Sequence, residues 1–502
     1  MKTTVIFDNF GPYHWARLRA AAHVCDLMAI QIAGRSAEYA WKREAQDGGQ
    51  KPDAGGRRTE VSGQQGTSNI EHPTSNIQTA ESAEGGAPSG EPEDGGRRTE
   101  GRRQKTEDGA ESRKQKTENK KEFQLSAFSV SAFKHVTLLE AGTSRDVSHR
   151  ELAARLNRAL DDFRPQVVFI PGWSSKAAFA ALRWCVRHNI PAVAMSESTE
   201  WDEARSAWRE AVKQRIVGLC SAALVGGSPH KDYLVQLGMP AERVFFGYDA
   251  VDNRYFGEKA EMLKAEILKK EGRRKYGLPE NFFLASARFI EKKNLPRLIQ
   301  AYARYREKAE KLKTETLKSE ISACQNVSVS DFTPWPLVLL GDGPLRPDLC
   351  HLISDLRLQD SVLLPGFKQY PDLPAYYGLA SAFIHASTTE QWGLVVNEAM
   401  ASGLPVLVSN RCGCAPDLVQ DGVNGFTFDP YAVEQLAQLM LKISAFNFPL
   451  STFGDASQRL IANWGPERFA SGMKAAVECA LKIGPKRAGL FDRLLLKTLL
   501  CR

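Results

Sequence analysis

The stretch that most constrains the fold of this chain is a strand, turn, helix and second strand between Ser381 and Asn410. Residues 381–387 (SAFIHAS) are short, mostly apolar and rich in β-formers, which is typical of a buried parallel strand. The helical run LVVNEAMASG follows, with Gly403 where a helix C-terminus favours glycine, and Pro405 opens the next strand. This βαβ unit predicts an α/β fold whose strand-to-helix turn lies at the carboxyl edge of a parallel sheet, where such sheets bind ligands.

Two glutamates flank that turn in an E-x(7)-E spacing, with Glu390 before the helix and Glu398 inside it. A glycine between them lets a ligand approach the backbone, and the first amides of the helix, at Gly393, Leu394 and Val395, favour phosphate oxygens. Glu398 is then predicted to accept hydrogen bonds from a ribose, and Glu390 from a sugar beyond the phosphates. In the alternative interpretation, both glutamates only occupy a helix N-terminus, where acidic side chains are favoured.

Basic and glycine-bearing turns are predicted at the same edge of this sheet. Arg288 ends the strand FFLASAR, and Lys293 lies in the turn before the next helix. Gly341 and Gly343 form a turn after the strand PLVLL, and Phe367 follows the strand VLLPG. Because the carboxyl ends of parallel strands share one edge, we expect these turns to face a common cleft with the two glutamates.

The run EQWGLVVNEAMASGLPVLVSNRCGCAPDLVQDGVNGFTFDP resembles the nucleotide-sugar signature of the family 4, retaining glycosyltransferases. The match covers about forty residues in order, including the paired glutamates, the G-L-P-V strand entry and the D-G-x-N-G turn. The resemblance implies the GT-B fold, in which two Rossmann-like, doubly wound parallel-sheet domains face a central cleft. It further implies that Arg288 and Lys293 bind the donor diphosphate and that backbone groups near Phe367 hold the nucleobase.

The resemblance and the changes in composition along the chain predict its domain organisation. An N-terminal, acceptor-side domain is predicted at 1–252 and a C-terminal, nucleotide-sugar-binding domain at 253–480. Residues 45–122 contain almost no aliphatic or aromatic side chains, so they cannot bury enough apolar area and are predicted to be a disordered insertion. A second insertion is predicted at 307–333, and 481–502 is a basic, leucine-rich tail.

Residues of two turns in the N-terminal domain are candidates for the acceptor side or for a phosphate loop. The resemblance implies that the first strand-to-helix turn, FGPYHWARL, faces the cleft, which selects Gly11 and its neighbours Asn9, Tyr13, His14 and Arg17. The family often has more glycines in this turn, and a lone histidine here also fits a packing or capping role. Glu197 ends the strand PAVAMSE, where many relatives have a histidine. Either Glu197 makes a polar contact to donor or acceptor, or the acceptor loop is built differently, or Glu197 is a surface glutamate at the start of a loop.

Composition and charge narrow the class of protein. The chain is 43% hydrophobic and 25% charged, as in ordinary globular proteins. Its net charge of +7 lies largely in runs outside the apparent cores, so no nucleic-acid partner is expected. The nine scattered cysteines, the absence of an apolar run of ~20 residues and the short apolar start predict a cytoplasmic protein. The tail at 481–502 either packs on the N-terminal domain, frays, or contacts the inner membrane face peripherally.

The residues and the resemblance together predict a retaining glycosyltransferase. It would move a sugar from a UDP- or GDP-linked donor to a sugar or lipid-linked acceptor, in glycolipid or surface polysaccharide synthesis. Arg288, Lys293 and Glu390 are the predicted catalytic residues, since fixed positive charge stabilises the departing nucleoside diphosphate. No Asp-x-Asp motif accompanies them, so neither a metal nor another cofactor is expected.

Two alternatives from other functional classes stay open. The first is a non-catalytic GT-B scaffold in a polysaccharide-assembly complex, which the four charged residues of the predicted site disfavour. The second is a dinucleotide-dependent oxidoreductase, which needs a G-x-G-x-x-G turn after its first strand. The turn FGPYHWARL does not supply that pattern.

Overall fold

The computed structural model describes residues 1–34, 132–140, 147–263, 265–323 and 333–501, without the side chains of 314–323. The insertion predicted at 45–122 lies outside the described residues. Within the insertion predicted at 307–333, the described residues up to 323 continue a helix that begins at Leu295.

Seven parallel strands form the first sheet, in the order β3-β2-β1-β4-β5-β6-β7. These strands are β1 (Lys2–Phe7), β2 (Asp26–Ala33), β3 (Lys134–Leu139), β4 (Val167–Pro171), β5 (Ala192–Ser196), β6 (Ala222–Val225) and β7 (Val244–Phe246). The accompanying helices are α1 (Pro12–Ala22), α2 (His149–Phe163), α3 (Lys176–His188), α4 (Ala207–Gly218) and α5 (Ser228–Gln236), with a 3₁₀ turn at Ala241–Arg243. The order runs outward from β1 in both directions, which is the doubly wound arrangement.

Six parallel strands form the second sheet, in the order β10-β9-β8-β11-β12-β13. These strands are β8 (Phe283–Ser286), β9 (Leu337–Leu340), β10 (Val362–Gly366), β11 (Ala382–His385), β12 (Val406–Ser409) and β13 (Gly425–Phe428). The helices between and after them are α6 (Asn253–Met262), α7 (Glu266–Tyr276), α8 (Leu295–Ala323), α9 (Arg346–Asp355), α10 (Leu373–Leu379), α11 (Leu394–Ala401), α12 (Ala415–Leu418), α13 (Val433–Ser444), α14 (Leu450–Ile461), α15 (Pro466–Ile483) and α16 (Leu490–Cys501). Short 3₁₀ turns lie at Glu291–Lys293, Tyr370–Asp372 and Ala462–Trp464. The two sheets confirm the predicted α/β class with two Rossmann-like units.

Both faces of the central strands are buried, which explains their nearly continuous apolar sequences. Every residue of β6, β9, β11 and β12 is buried, because helices cover the sheets on both sides. Separate apolar clusters line the two faces of each sheet. The parallel pairing of β8 with β11 and of β11 with β12 places the carboxyl ends of these strands at one edge.

The last two helices pack on the first sheet rather than the second. Phe469, Met473 and Val477 of α15 are buried in the same cluster as β1 and β4. Helix α16 packs against α3 and buries Leu496 and Leu500 there. For the tail, the structure thus shows the packing on the N-terminal domain that was one of the three alternatives.

Candidate active site

The turn between β11 and α11 gathers a cluster of polar side chains around Glu390. The Lys293 ammonium forms an ion pair with Glu390 Oε2. Ser387 Oγ lies 3.3 Å from the same oxygen, and His385 Nε2 lies 3.4 Å from it. The two turns are tied together because the amide of Thr388 donates to the carbonyl of Lys292 at 2.9 Å. The cluster therefore follows from the pairing of β8 with β11.

The charge state of this cluster is set by burial and by its internal pairs. Burial alone would raise the pKa of Glu390, but the Lys293 ammonium and the His385 ring hold the pKa of this carboxyl well below its usual range. Burial lowers the pKa of His385, so its imidazole is neutral at pH 7. The side chain of Glu390 is 14% exposed. The site thus presents an ionised carboxylate that a ligand hydroxyl can reach.

Helix α11 begins directly after this cluster. Gly393 has φ +105°, in the left-handed region, and a Cβ there would lie 3.5 Å from Glu390 Cγ. No side chain among the described residues caps the helix at Gly393. The first amides of α11, at Leu394 and Val395, are therefore left for a ligand, and they carry the positive end of the helix dipole beside Lys293.

Glu398, the second predicted glutamate, is wholly buried inside α11. Its Oε1 accepts a hydrogen bond from the Tyr13 hydroxyl of α1, and the Tyr377 hydroxyl of α10 also interacts with the carboxyl. Burial raises the pKa of this carboxyl to about 7, against the opposing effects of the Tyr13 and Tyr377 hydroxyls. The Tyr13 ring also meets Tyr370 edge-on, with centroids 5.7 Å apart. Glu398 is thus covered by a residue of the first domain.

The remaining residues predicted on the donor side lie at the ends of β8, β9 and β10. Arg288 is exposed and forms no ion pair with the described residues. Gly341 and Gly343 have φ +133° and +155°, and a Cβ on Gly341 would lie 1.8 Å from the carbonyl oxygen of Ala287. Phe367 is 42% exposed. The two glycines are therefore required for close packing of neighbouring turns, and the two larger side chains are accessible.

Gly11 and His14 form the N-terminal cap of α1. The Gly11 amide donates to His14 Nδ1 at 3.1 Å. The His14 ring packs against Phe7, with centroids 4.7 Å apart. Burial, with a smaller effect of Arg17, lowers the pKa of His14 to about 3, so the ring is neutral. This geometry is the capping and packing role that was one of the two interpretations of His14.

Glu197 lies half-buried after β5, near a second acid that the sequence reasoning missed. Asp249, which follows β7, is wholly buried. Arg17 approaches Asp249 Oδ1 to 3.7 Å and donates from Nε to the carbonyl of Ala250 at 2.8 Å. Burial and the Glu197 carboxylate raise the pKa of Asp249 well above its ordinary value. Asp249 is therefore a buried carboxyl whose proton is held more tightly than usual. Only its position after an apolar strand could have drawn attention to it.

Two contacts join the Glu390 turn and α12 to the first domain, and the sequence reasoning missed both. His230 accepts from the Gly227 amide through Nδ1 at 3.1 Å, and its Nε2 lies 2.8 Å from the carbonyl oxygen of Gln391. Asp417 accepts from both the amide and the hydroxyl of Ser228, at 2.8 and 2.6 Å. An acid of the second domain therefore caps α5 of the first. The only available signal was the G-G-S-P-H turn, which is typical of a helix start.

Two kinds of feature are absent from the part of the chain that the structure describes. Among the described residues, no three His, Cys, Asp or Glu side chains come together in a group that could hold a metal ion. None of the described helices is long and apolar enough to cross a bilayer. Metal-independent chemistry and a peripheral membrane contact stay predictions.

Comparison with known sequences connects this site to a family. Residues 269–447 match the model of glycosyl transferases group 1. The chain is 39% identical over 111 residues to sulfoquinovosyl transferase SQD2 of Arabidopsis thaliana, covering 21% of each protein. It is 33% identical over 147 residues to the alpha-monoglucosyldiacylglycerol synthase of Streptococcus pneumoniae, covering 29% of this chain and 28% of that one. The matches thus span less than a third of the length of these relatives.

Solved structures with the same arrangement of two sheets show the fold. The Anabaena protein Alr3699/HepE in complex with UDP has a TM-score of 0.52 at 18% identity, covering 68% of this chain and 85% of that one. Sucrose-phosphate synthase from Thermosynechococcus elongatus has a TM-score of 0.56 at 14% identity, covering 94% and 96%. The GT-B fold predicted from the sequence is confirmed, and the chain carries a glycosyl transferases group 1 domain.

Proposed function

We propose that the chain is a retaining glycosyltransferase that moves a sugar from a nucleoside-diphosphate sugar to an acceptor hydroxyl. The observation that carries the proposal is the pairing of Lys293 with Glu390 directly in front of the uncapped start of α11. A cation, a helix N-terminus and an ionised carboxylate then lie within one turn. They match the two halves of such a donor, an anionic diphosphate and a polyhydroxylated sugar.

The names of similar proteins support sugar transfer, and the titles of similar structures support a nucleotide-linked donor. The relatives SQD2 and alpha-monoglucosyldiacylglycerol synthase are a sulfoquinovosyl transferase and a glycolipid synthase. The structurally similar Anabaena protein was solved with UDP and with UDP-glucose. We therefore propose a UDP- or GDP-linked sugar as donor and a sugar or lipid-linked molecule as acceptor.

The proposed reaction breaks the bond between the anomeric carbon and the donor phosphate oxygen. It forms a bond from an acceptor oxygen to the same carbon, and the departing phosphate takes the acceptor's proton. Negative charge develops on the nucleoside diphosphate, where Lys293, Arg288 and the first amides of α11 stabilise it. Glu390 accepts hydrogen bonds from the sugar hydroxyls, because Lys293 keeps it ionised. Departure and attack on one face of the sugar retain its configuration.

The proposal is tested by measuring hydrolysis of a panel of UDP- and GDP-sugars by the purified chain and its variants. Lys293→Ala and Arg288→Ala are each expected to slow hydrolysis by about 10²-fold or more, since each removes fixed positive charge from the leaving group. Lys311→Ala, at an exposed position of α8, is the matched control and should keep the original rate. Near-normal hydrolysis by both site variants would show that these cations do not act on the donor.

Calorimetric titration separates this function from the two alternatives. Binding of UDP or GDP that Lys293→Ala weakens supports the transferase. Binding of NAD instead would favour the oxidoreductase, and a chain that binds none of these ligands would be a scaffold. Folding of each variant is checked by its urea midpoint before the titration.

We also propose that α16 contacts an anionic membrane surface from the cytoplasmic side. Several apolar and basic side chains of α16 are exposed, although the Arg215 guanidinium of α4 lies over the Phe491 ring, 5.0 Å from its centroid. The exposed apolar and basic side chains of α16, with those just before the helix, are Leu490, Phe491, Leu494, Arg487, Arg493 and Lys497. Apolar side chains between cations suit the boundary between anionic headgroups and acyl chains.

A further inference from the structure

A cavity of about 440 Å³ opens beside the Glu390 turn. Its polar end is lined by Lys292, Thr389 and Gln391, of which the last two flank Glu390 in the chain. Glu390 itself does not line the cavity, but a molecule that fills it lies beside the turn that carries this carboxylate.

Part of the cavity lining is apolar. Trp173, Phe179 and Ile216 of the first domain are buried along it, and Leu499 of α16 lines it as well. Trp208 of α4 also lines the cavity, yet 57% of its surface is exposed. An exposed indole that continues a buried apolar wall is the feature expected where a ligand with an apolar portion enters.

The charges along the cavity are unbalanced. Its acids are neutralised, since Arg205 Nη2 lies 2.5 Å from Asp202 Oδ1 and Lys213 Nζ lies 2.9 Å from Glu203 Oε1. The other two cations that line it do not have such partners: Arg209 and Lys292 form no ion pair with the described residues. The lining therefore carries surplus positive charge, which favours a ligand with a phosphate or another anionic group.

We propose that this cavity is the acceptor site and that the acceptor is an amphiphile, an apolar chain joined to a phosphate. The proposal rests on the proposed glycosyltransferase function, because it uses the adjacency of the polar end to Glu390. The apolar chain lies along the wall of Trp173, Ile216 and Leu499. The anionic group pairs with Arg209 and Lys292, and the acceptor hydroxyl reaches the Thr389 end.

The test uses n-decyl phosphate, below its critical micelle concentration, as the probe. Saturable binding to the full chain is followed by calorimetric titration, a readout that does not depend on Trp208. Two further probes dissect the site: n-decyl glucoside has the same chain without charge, and glycerol 1-phosphate has the charge without the chain. Both are expected to bind about tenfold more weakly or worse, since each lacks one class of contact. Equally tight binding of n-decyl glucoside, or no binding of n-decyl phosphate, would overturn the proposal.

Variants at exposed positions locate the binding. Arg209→Gln and Trp208→Ala should each weaken n-decyl phosphate binding by about tenfold, the effect of losing one charged or one aromatic contact. Lys311→Gln and Phe446→Ala, at exposed positions that do not line the cavity, should bind as the original chain does. Equal effects at cavity and control positions would place the binding elsewhere and overturn the assignment.

One more variant separates failure of this proposal from failure of the proposed function. Lys293→Ala should lose UDP or GDP binding and keep n-decyl phosphate binding, because Lys293 does not line the cavity. Binding of the amphiphile without binding of any nucleotide would refute the proposed glycosyltransferase function, and with it the assignment of the cavity as an acceptor site. A chain that binds nucleotide and hydrolyses the donor, but binds no amphiphile, would refute only the acceptor class.

Discussion

Replacing Glu398 by glutamine should change how the stability of the fold depends on pH. Glu398 is wholly buried, and burial raises its pKa from the ordinary 4.5 to about 7. Between these two values the folded protein holds a proton that the unfolded chain releases. The contribution of this group to stability is therefore fully present below pH 4.5 and is lost as the pH rises through 7.

The size of the effect follows from the two pKa values. They differ by about 2.5 units, and each unit corresponds to about 1.4 kcal/mol, so ionisation of Glu398 costs the fold about 3 kcal/mol above pH 7. Glutamine keeps an oxygen that can accept the hydrogen bond from Tyr13, but it cannot ionise. At pH 8 Glu398→Gln should consequently be more stable than the original chain by up to about 3 kcal/mol. At pH 4.5 the advantage should be small.

Urea unfolding at pH 4.5 and pH 8 measures this difference as a shift of the midpoint at constant slope. Glu478→Gln is the matched control, because Glu478 is 58% exposed on α15 and should not acquire a pH-dependent advantage. If Glu398→Gln shifted the midpoint equally at both pH values, Glu398 would not change its ionisation between them. The reasoning from burial would then be wrong.

Three further changes test other parts of the structure. Gly341→Ala should lower the free energy of unfolding by about 1–3 kcal/mol, since φ is +133° and the new Cβ would meet the carbonyl of Ala287; an unchanged urea midpoint would contradict this packing. Asp417→Ala should lower the free energy of unfolding by about 1 kcal/mol, because Asp417 of the second domain caps the helix that begins at Ser228. An unchanged urea midpoint would argue against this cap. Phe491→Glu should weaken sedimentation with anionic lipid vesicles by about tenfold or more, because it removes an apolar side chain from the proposed membrane face. Equal sedimentation of both proteins would exclude α16 from the contact.

The sequence was sufficient for the parts of the site that depend on local pattern. The strand predicted at 381–387 is β11, and the predicted helix after Gly393 is α11. The meeting of Lys293 and Glu390 could also be anticipated, because each follows a strand of one parallel sheet and such strands end at the same edge. Short apolar strands and glycine-bearing turns specify this geometry without knowledge of distant residues.

The contacts that the sequence reasoning missed join residues that are far apart in the chain. Tyr13 covers Glu398 across 385 positions, and Ser228 meets Asp417 across 189. Neither contact leaves a periodic or compositional signal, because each depends on how the packed helices of the two domains meet. The burial of Asp249 is of the same kind, since its own segment does not reveal what surrounds it.

The Tyr13 contact bears directly on the proposed role of Glu398. A ribose can replace Tyr13 only if α1 or the tyrosine side chain moves, since Glu398 is wholly buried in this arrangement. Two ribose hydroxyls would then donate to the carboxylate and favour its ionised form, so nucleotide binding should release a proton near pH 7. Donor affinity should accordingly rise as the pH increases towards 7 and level off above it. The Tyr13 hydroxyl and the ribose hydroxyls therefore compete for the Glu398 carboxyl. Because burial raises the free energy needed to ionise this carboxyl, donor binding is coupled to pH.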